Sequence, residues 1–232
     1  MLAARLPEHL AENRATGFRG EEPVAQYELG SYRNFIYLIL DWREKKAAIV
    51  DPQSDLDKLL GDLKDYGFEL TGILLTHTHH DHIAGVPKLL ERFPSLPIYV
   101  HPVDSHRLER KLSGSVQPLT DGQEIPVGSL SIQVIHTPGH SAGECCYFFE
   151  RGRKYLFTGD TLFIRDCGRT DFEDGSNEQM FDSLQRIKAL APETVILPGH
   201  HYAKECATIL AQELAESAPL RCGSVAELAA LP

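Results

Sequence analysis

The sequence predicts a mixed α/β or α+β fold in which strands dominate, and three observations lead to this prediction. Short apolar runs rich in β-branched and aromatic residues recur along the 232 residues, as is typical of strands. Stretches with helical spacing lie between some of these runs. No internal repeat, low-complexity tract or Pro/Gly-rich linker interrupts the chain, so we expect one domain over 1–232 with a short helical extension over 203–232.

Eight apolar runs are predicted to be strands. They are 35–40, 47–50, 73–75, 98–100, 130–135, 145–149, 155–157 and 195–197. Five stretches with helical spacing are predicted to be helices, over 56–63, 86–93, 180–190, 203–215 and 225–231. Ser54 or Asp55 is expected to cap the first of these helices, and Ser176 or Asn177 the third.

The composition restricts the classes of partner. The formal net charge is −10 and the sequence pI is about 5.5, so we expect no nucleic-acid partner and no anionic-membrane partner. The N-terminal region lacks the apolar core of a secretory signal, which predicts a cytoplasmic protein. Five cysteines without CxxC spacing indicate reduced thiols. The oligomeric state stays open, with a homodimer among the options.

Four of the predicted strands run into metal-capable side chains, namely His77, His140, Asp160 and His200. Side chains at the carboxyl ends of buried strands lie along one edge of a sheet, where open sheets tend to bind ligands. We therefore predict that widely separated segments of the chain converge on a single site.

The densest cluster is residues 76–82, which read THTHHDH. In a helix His77 and His79 would point about 200° apart, whereas on an extended or looped segment they share a side. The spacing therefore predicts a loop, unlike the helical HExxH motif of metalloproteases. Asp81 and His82 would face another way and could serve a second metal ion.

Imidazole and carboxylate groups are natural ligands for zinc, manganese or iron(II), and two such ions about 3.5–4 Å apart can share a carboxylate. The candidate ligands are His77, His79, Asp81, His82, His140, Asp160 and His200. Spacing alone indicates two groups but does not assign every member. Isolated histidines such as His9, His101 and His106 are expected to bind no metal.

With His140, Asp160 and His200 following in order, the THTHHDH stretch resembles the HxHxDH signature of the metallo-β-lactamase fold superfamily. The resemblance covers roughly 24–202 and implies a four-layer αββα sandwich with the metal site at one edge. It also implies the ligand groups, which are His77, His79 and His140 for one ion and Asp81, His82 and His200 for the other, with Asp160 between them. Two divalent ions are expected, zinc first, with iron or manganese as alternatives.

Hydrolysis is the expected reaction, because divalent ions lower the pKa of bound water toward about 7 and polarise a carbonyl. Asp81 and Asp160 are the expected catalytic carboxylates. The stretches 34–51, ILLTHTHHDHIAGVPKLLERFP and FTGDTLF resemble hydroxyacylglutathione hydrolases, or glyoxalase II. This resemblance implies that a metal-bound hydroxide cleaves a thioester such as a hydroxyacylglutathione.

The same resemblance implies residues that bind a small-molecule, glutathione-derived substrate. Arg169 matches a basic residue that meets glutathione, Tyr202 matches a tyrosine at the same site, and Arg165 is a further candidate. A guanidinium group suits a carboxylate-bearing thiol because it can bind bidentately. Only residues 201–232 follow the last ligand, whereas glyoxalase II carries a longer C-terminal helical domain.

A second resemblance keeps another function open. The stretch FIRDCGRTDFEDG, residues 163–175, is similar to persulfide dioxygenases, which oxidise glutathione persulfide with one iron(II) held by residues matching His77, His140 and Asp160. Another intracellular metallohydrolase is the third option. A β-lactamase is disfavoured because an export signal is not found, and an RNA-processing nuclease is disfavoured by the acidic balance.

Overall fold

The computed structural model describes residues 6, 7, 10, 17–109 and 115–231. Within this part of the chain, two six-stranded sheets are formed. In spatial order the first sheet contains β1 (Val24–Leu29), β2 (Asn34–Asp41), β3 (Lys46–Val50), β4 (Glu69–Leu74), β5 (Pro97–Val100) and β6 (Ser115–Pro118). Pairing is antiparallel from β1 to β3 and parallel from β3 to β6.

The second sheet has the order β12-β11-β10-β9-β8-β7. Its strands are β7 (Glu124–Val127), β8 (Leu130–His136), β9 (Cys145–Arg151), β10 (Arg153–Gly159), β11 (Val195–Pro198) and β12 (Thr208–Ile209). Only the β10–β11 pair is parallel among these described strands. The strands β8, β10 and β11 therefore run in one direction and end at one edge.

The helices of the described chain lie between or after the strands in sequence. They are α1 (Asp57–Asp65), α2 (His80–Ile83), α3 (Val86–Arg92), α4 (Pro102–Glu109), α5 (Asn177–Lys188), α6 (Leu210–Glu216), α7 (Ala218–Arg221) and α8 (Val225–Ala229). Among the described residues, no helix is both long enough and apolar enough to cross a membrane.

Three apolar clusters separate four layers. Along β2, Phe35 and Tyr37 belong to the cluster between the two sheets, whereas Ile36 and Leu38 belong to the cluster under the helices of the first sheet. This alternation follows from the two-residue period of a strand. Leu184 of α5 lies in a third cluster, under the helices of the second sheet. The arrangement confirms the αββα sandwich of the sequence analysis.

Every predicted strand coincides with an observed one, and four short strands were missed. These are β1, β6, β7 and β12. The β1 sequence VAQYEL carries Gln26 and Glu28, β6 and β7 contain prolines, and β12 has two residues. The last three segments give too few apolar positions for the two-residue pattern to stand out, whereas residues 25–29 of β1 do alternate apolar and polar side chains and could have been predicted.

Two helix predictions need correction. The helix predicted over 203–215 begins only at Leu210, because Thr208 and Ile209 pair with β11 instead. The expected Ser54 or Asp55 cap of α1 is also wrong, since Leu56 occupies the N-cap position without a side-chain hydrogen bond. The cap of α5 is confirmed, because the Gln179 N–H donates to Ser176 Oγ at 3.3 Å.

The segment after the last ligand packs on the second sheet. Leu210, Leu220 and Leu228 share the apolar cluster of Leu184. That residues 1–232 form one domain with an extension over 203–232 remains a prediction. All five cysteines are free thiols, as expected.

The stacked aromatic core of the second sheet gives a stability prediction. Phe149 is 1% exposed and stacks on Tyr155 with ring centroids 5.0 Å apart. We expect Phe149→Ala to lower the free energy of unfolding by about 3–5 kcal/mol, because it removes buried apolar surface and leaves a cavity. Urea denaturation measures the change. Val103→Ala, at a position 48% exposed, is the control and should change the free energy of unfolding by less than about 0.5 kcal/mol. Equal losses in the two variants would contradict the packing of Phe149 in the core.

Candidate metal centre

The predicted ligands meet at one edge of the sandwich, and each sheet contributes some of them. From the first sheet, His77 and His79 follow β4, and Asp81 and His82 lie in α2. From the second sheet, His140 lies between β8 and β9, Asp160 follows β10, and His200 follows β11. The convergence expected from the strand ends is therefore present.

The first group consists of His77, His79 and His140, whose ligand atoms all lie within 4.8 Å of one another. His79 Nδ1 is 3.0 Å from His77 Nε2 and 2.9 Å from His140 Nε2. His77 and His79 lie on a loop, as their spacing predicted.

The second group consists of Asp81, His82 and His200, again with ligand atoms within 4.8 Å. His82 Nε2 and His200 Nε2 are 3.1 Å apart, and Asp81 Oδ2 is 3.5 Å from His200 Nε2. The helical turn α2, which the sequence analysis did not predict, turns Asp81 and His82 toward this second group. Asn34 Nδ2 donates to Asp81 Oδ2 at 2.9 Å and fixes that carboxylate.

Asp160 lies between the two groups. Its Oδ2 atom is 3.5 Å from His140 Nε2 and 3.3 Å from His200 Nε2, and its Oδ1 atom is 3.5 Å from His82 Nε2. The Oδ1 atom is buried and has no hydrogen-bond partner among the described residues. The Asp160 carboxylate is therefore within reach of a cation held by either group.

The donor atoms fit a pair of divalent ions. Two ligand atoms at about 2.0–2.1 Å from one tetrahedral zinc ion lie about 3.3 Å from each other, close to the spacings of 2.9–3.5 Å found here. Nitrogen and carboxylate oxygen are also the donor types that zinc, iron(II) and manganese accept. Without a cation, this concentration of buried polar atoms would be costly.

Backbone carbonyls hold the ring hydrogens of two histidines away from the cluster. His140 Nδ1 donates to Arg169 O at 2.8 Å, and His200 Nδ1 donates to Tyr32 O at 2.9 Å. A carbonyl only accepts, so in both rings the hydrogen lies on Nδ1 and the lone pair of Nε2 faces the other ligands.

Charge and burial favour a bound cation. Burial lowers the pKa of His77 well below its usual range, so this ring is neutral. Burial and the nearby His140 lower the pKa of His79 to about 4. Burial opposes protonation of His82 too, but Asp160 and Asp51 raise its pKa to about 10. Carboxylates that favour a proton at this position also favour a metal ion.

A cavity of about 290 Å³ opens over the ligands and has aromatic walls. Phe172 contacts the rings of His79 and His140 at centroid distances of 4.9 and 5.2 Å. Tyr202 is 58% exposed and stacks on His200 at 4.7 Å. A larger groove of about 900 Å³ lies beside α1 and residues 92–97, but it contains none of the candidate ligands.

Residues 30–200 match the family model described as the metallo-beta-lactamase superfamily. The chain belongs to this superfamily. Its sequence is 35% identical over 174 residues to the probable polyketide biosynthesis zinc-dependent hydrolase PksB of Bacillus subtilis (strain 168), covering 75% of each chain. It is 41% identical over 172 residues to a hydroxyacylglutathione hydrolase of Aeromonas hydrophila subsp. hydrophila, covering 73% of this chain but only 61% of that one.

Solved structures of the metallo-beta-lactamase superfamily show the same architecture. ETHE1 from Myxococcus xanthus superposes with a TM-score of 0.77 at 30% sequence identity, and the match covers 90% of this chain and 92% of that chain.

The candidate substrate-binding residues of this superfamily member occupy different places. Arg169 and Tyr202 line the cavity. Arg169 is also paired with Asp171 through two hydrogen bonds of 2.8 Å. Arg165 does not line the cavity, and its guanidinium group pairs with Glu205 and Glu216. Substrate binding by all three residues remains a prediction.

Asp51, which was not among the predicted site residues, accepts hydrogen bonds from the segment that carries the ligands. Its Oδ1 and Oδ2 atoms accept from Thr76 N–H at 2.8 Å and Thr76 Oγ1 at 2.6 Å, and Oδ2 is 3.0 Å from His82 Nδ1. The signal that identified the ligands could have found it, because the apolar run 47–50 also ends on a metal-capable side chain.

The shared position of Asp160 gives a prediction for metal binding. We expect Asp160→Ala to lose at least one metal ion after dialysis and to lose activity, because both groups lose a carboxylate that contacts their histidines. Metal content is measured by atomic emission. Asp182→Ala, on the exposed side of α5, should keep the wild-type metal content. Full metal content in the Asp160 variant would show that the ions are held elsewhere.

Proposed function

We propose that this protein is a metal-dependent hydrolase that cleaves a thioester at the candidate metal centre. The observation that carries the proposal is the convergence of all seven predicted ligands into two groups joined by Asp160. Divalent ions held there would supply a hydroxide nucleophile at neutral pH and polarise the carbonyl group. The relatives named hydroxyacylglutathione hydrolase support a hydrolase of this kind.

The residues of the chain have separate tasks in this proposal. His77, His79 and His140 would hold one ion, and Asp81, His82 and His200 would hold the other. Asp160, which lies between the two groups, would contribute its carboxylate to both. The carbonyl oxygens of Tyr32 and Arg169 keep the Nε2 atoms of His200 and His140 free of hydrogen.

The cavity favours a leaving group that needs no strong acid. Asp81 and Asp160 are the only carboxylates among the described residues that line it, and both are proposed ligands. The imidazole of His80 also lines it, but this side chain is 77% exposed and is not held toward the ligands. An amide nitrogen must be protonated before it leaves, whereas a thiol with a pKa of about 8.5 leaves as a thiolate. A thioester is therefore the proposed substrate class, with a hydroxyacylglutathione as its first example.

The proposed ions are zinc first, with iron or manganese as alternatives. The similar protein from Bacillus subtilis is named a zinc-dependent hydrolase, which supports the choice of zinc. The cytoplasmic location and the lack of nucleic-acid and membrane partners remain predictions from sequence, and so does the homodimer option.

An iron(II)-dependent persulfide dioxygenase is the second candidate function. The stretch 163–175 that resembles those enzymes forms part of the cavity wall, through Phe163, Gly168, Arg169 and Phe172. The three residues that would hold a single iron belong to the same cluster, since His140 contacts Asp160 and shares a ligand group with His77. This candidate therefore concerns the same cavity as the hydrolase.

The two candidate functions differ in metal content and in oxygen consumption. We expect the purified protein to contain two ions per chain and to cleave a lactoylglutathione-type thioester without taking up oxygen. Atomic emission, thiol release and an oxygen electrode measure these quantities. One iron per chain with oxygen uptake on glutathione persulfide would overturn the hydrolase in favour of the dioxygenase.

Arg169 provides a separate test of the glutathione carrier. We expect Arg169→Ala to raise KM for a glutathione thioester about tenfold with little change in kcat, because a rim guanidinium that binds a carboxylate contributes equally to ground-state and transition-state binding. Steady-state kinetics measure both constants. Arg43→Ala, in the turn between β2 and β3, is the control. An unchanged KM in the Arg169 variant would exclude this contact.

A further inference from the structure

Glu144 is a buried carboxyl group beneath the metal centre that the proposed function does not use. The residue directly precedes β9 and is 0% exposed. It is neither a candidate ligand nor a lining residue of the cavity. Its position therefore needs a separate explanation.

Glu144 connects two of the segments that carry ligands. Its Oε1 atom accepts from the Asp160 backbone N–H at 2.8 Å, and its backbone carbonyl accepts from the Thr137 N–H at 2.8 Å. The Oε2 atom has no hydrogen-bond partner among the described residues and lies 3.4 Å from His77 Nδ1. An unpartnered buried carboxylate oxygen is costly, so the group that Oε2 faces, the His77 ring, bears on why it is there.

His77 presents its two ring nitrogens to different surroundings. Nε2 faces the other ligands, 3.0 Å from His79 Nδ1. Nδ1 faces Thr76 Oγ1 at 3.1 Å and Glu144 Oε2. The Thr76 hydroxyl donates its hydrogen to Asp51 Oδ2 at 2.6 Å, so toward His77 it can only accept. Both neighbours of Nδ1 are then acceptors, which keeps the ring hydrogen on Nδ1 and the lone pair of Nε2 toward the cluster.

The two ligand groups differ in the carboxyl groups that surround them. The group of Asp81, His82 and His200 contains a carboxylate and has Asp51 behind His82. The group of His77, His79 and His140 contains only imidazoles and shares Asp160 with its neighbour. Glu144 stands behind His77 as Asp51 stands behind His82.

We propose that Glu144 is the positioning residue of the three-histidine group: from behind the ring it keeps the hydrogen of His77 on Nδ1, and so keeps the lone pair of Nε2 toward a cation held by that group. The inference rests on the metal centre of the proposed function. It does not depend on which bond the enzyme cleaves.

The substitution Glu144→Gln tests the proposal, with zinc alone as the probe. The Asp160 N–H would still require an acceptor, so the amide oxygen would take the Oε1 position and the amide NH₂ would face His77 Nδ1. That donor would move the ring hydrogen to Nε2, where it blocks ligation. We expect one of the two zinc ions to bind about 10–100-fold more weakly, as measured by competition with a chromophoric chelator.

The stability of the metal-free protein separates positioning from a structural role. We expect metal-free Glu144→Gln to be at least as resistant to urea as the metal-free wild type, because an unpartnered carboxyl is replaced by a neutral amide with a partner. Zinc affinity would then fall while metal-free stability does not. If Glu144 had only a structural role, the substitution would lower both the zinc affinity and the stability of the metal-free protein.

Glu213 on α6 provides the matched control. It is also 0% exposed, its Oε2 atom accepts a backbone N–H, from Arg165 at 2.6 Å, and its Oε1 atom has no partner among the described residues. It belongs to none of the ligand groups. We expect Glu213→Gln to leave the affinity for both zinc ions unchanged.

Three results would overturn the proposal. Wild-type zinc affinity in Glu144→Gln would show that Thr76 alone orients His77. A variant that does not fold, or that loses zinc affinity and metal-free stability together, would show that Glu144 stabilises the fold and does not position His77. An equal loss in Glu213→Gln would show a general effect of removing buried charge. A wild-type protein that binds two zinc ions but cleaves no thioester would refute the proposed function and leave this test intact.

Discussion

The structure depends on the confinement of imidazole and carboxylate groups at one buried edge of the sandwich. His77, His82, His140, Asp160 and His200 are each at most 6% exposed, and their ligand atoms lie a few ångströms apart. Polar groups are costly to bury unless they have hydrogen-bond or metal partners. Several of these ligand atoms have only other ligand atoms as polar neighbours. A divalent cation would satisfy them, and the rest of the site is arranged to keep them in place.

The ligands come together only when the two sheets are packed against each other. The first sheet provides residues 77–82 and the second provides His140, Asp160 and His200. The backbones join where Phe35 N–H donates to Gly199 O at 2.8 Å. A Cβ atom at Gly199 would lie 2.4 Å from Asp160 Oδ1, so only glycine allows this approach. The cluster between the sheets is therefore part of what positions the metal centre.

A layer of acceptors behind the ligands orients them. Backbone carbonyls hold the hydrogens of His140 and His200, and Asp51 and Glu144 stand behind His82 and His77. Histidines in metal sites commonly need such partners, which fix the tautomer and raise the basicity of the ligand nitrogen. In this member of the metallo-beta-lactamase superfamily, the layer comes from both backbone and side chains, so the orientation of the ligands depends on segments outside the ligand motif.

The sequence by itself determined the fold class, eight of the strands and the candidate ligands, because apolar periodicity and the residues that end each strand are local properties. It also determined that His77 and His79 lie on a loop. Only the tertiary structure decided that Arg169 but not Arg165 lies on the cavity wall, and that Glu144 lies behind His77. These contacts join residues far apart in the chain. The pairing of Thr208 with β11 in place of a longer helix has the same cause, since local propensity yields to tertiary pairing.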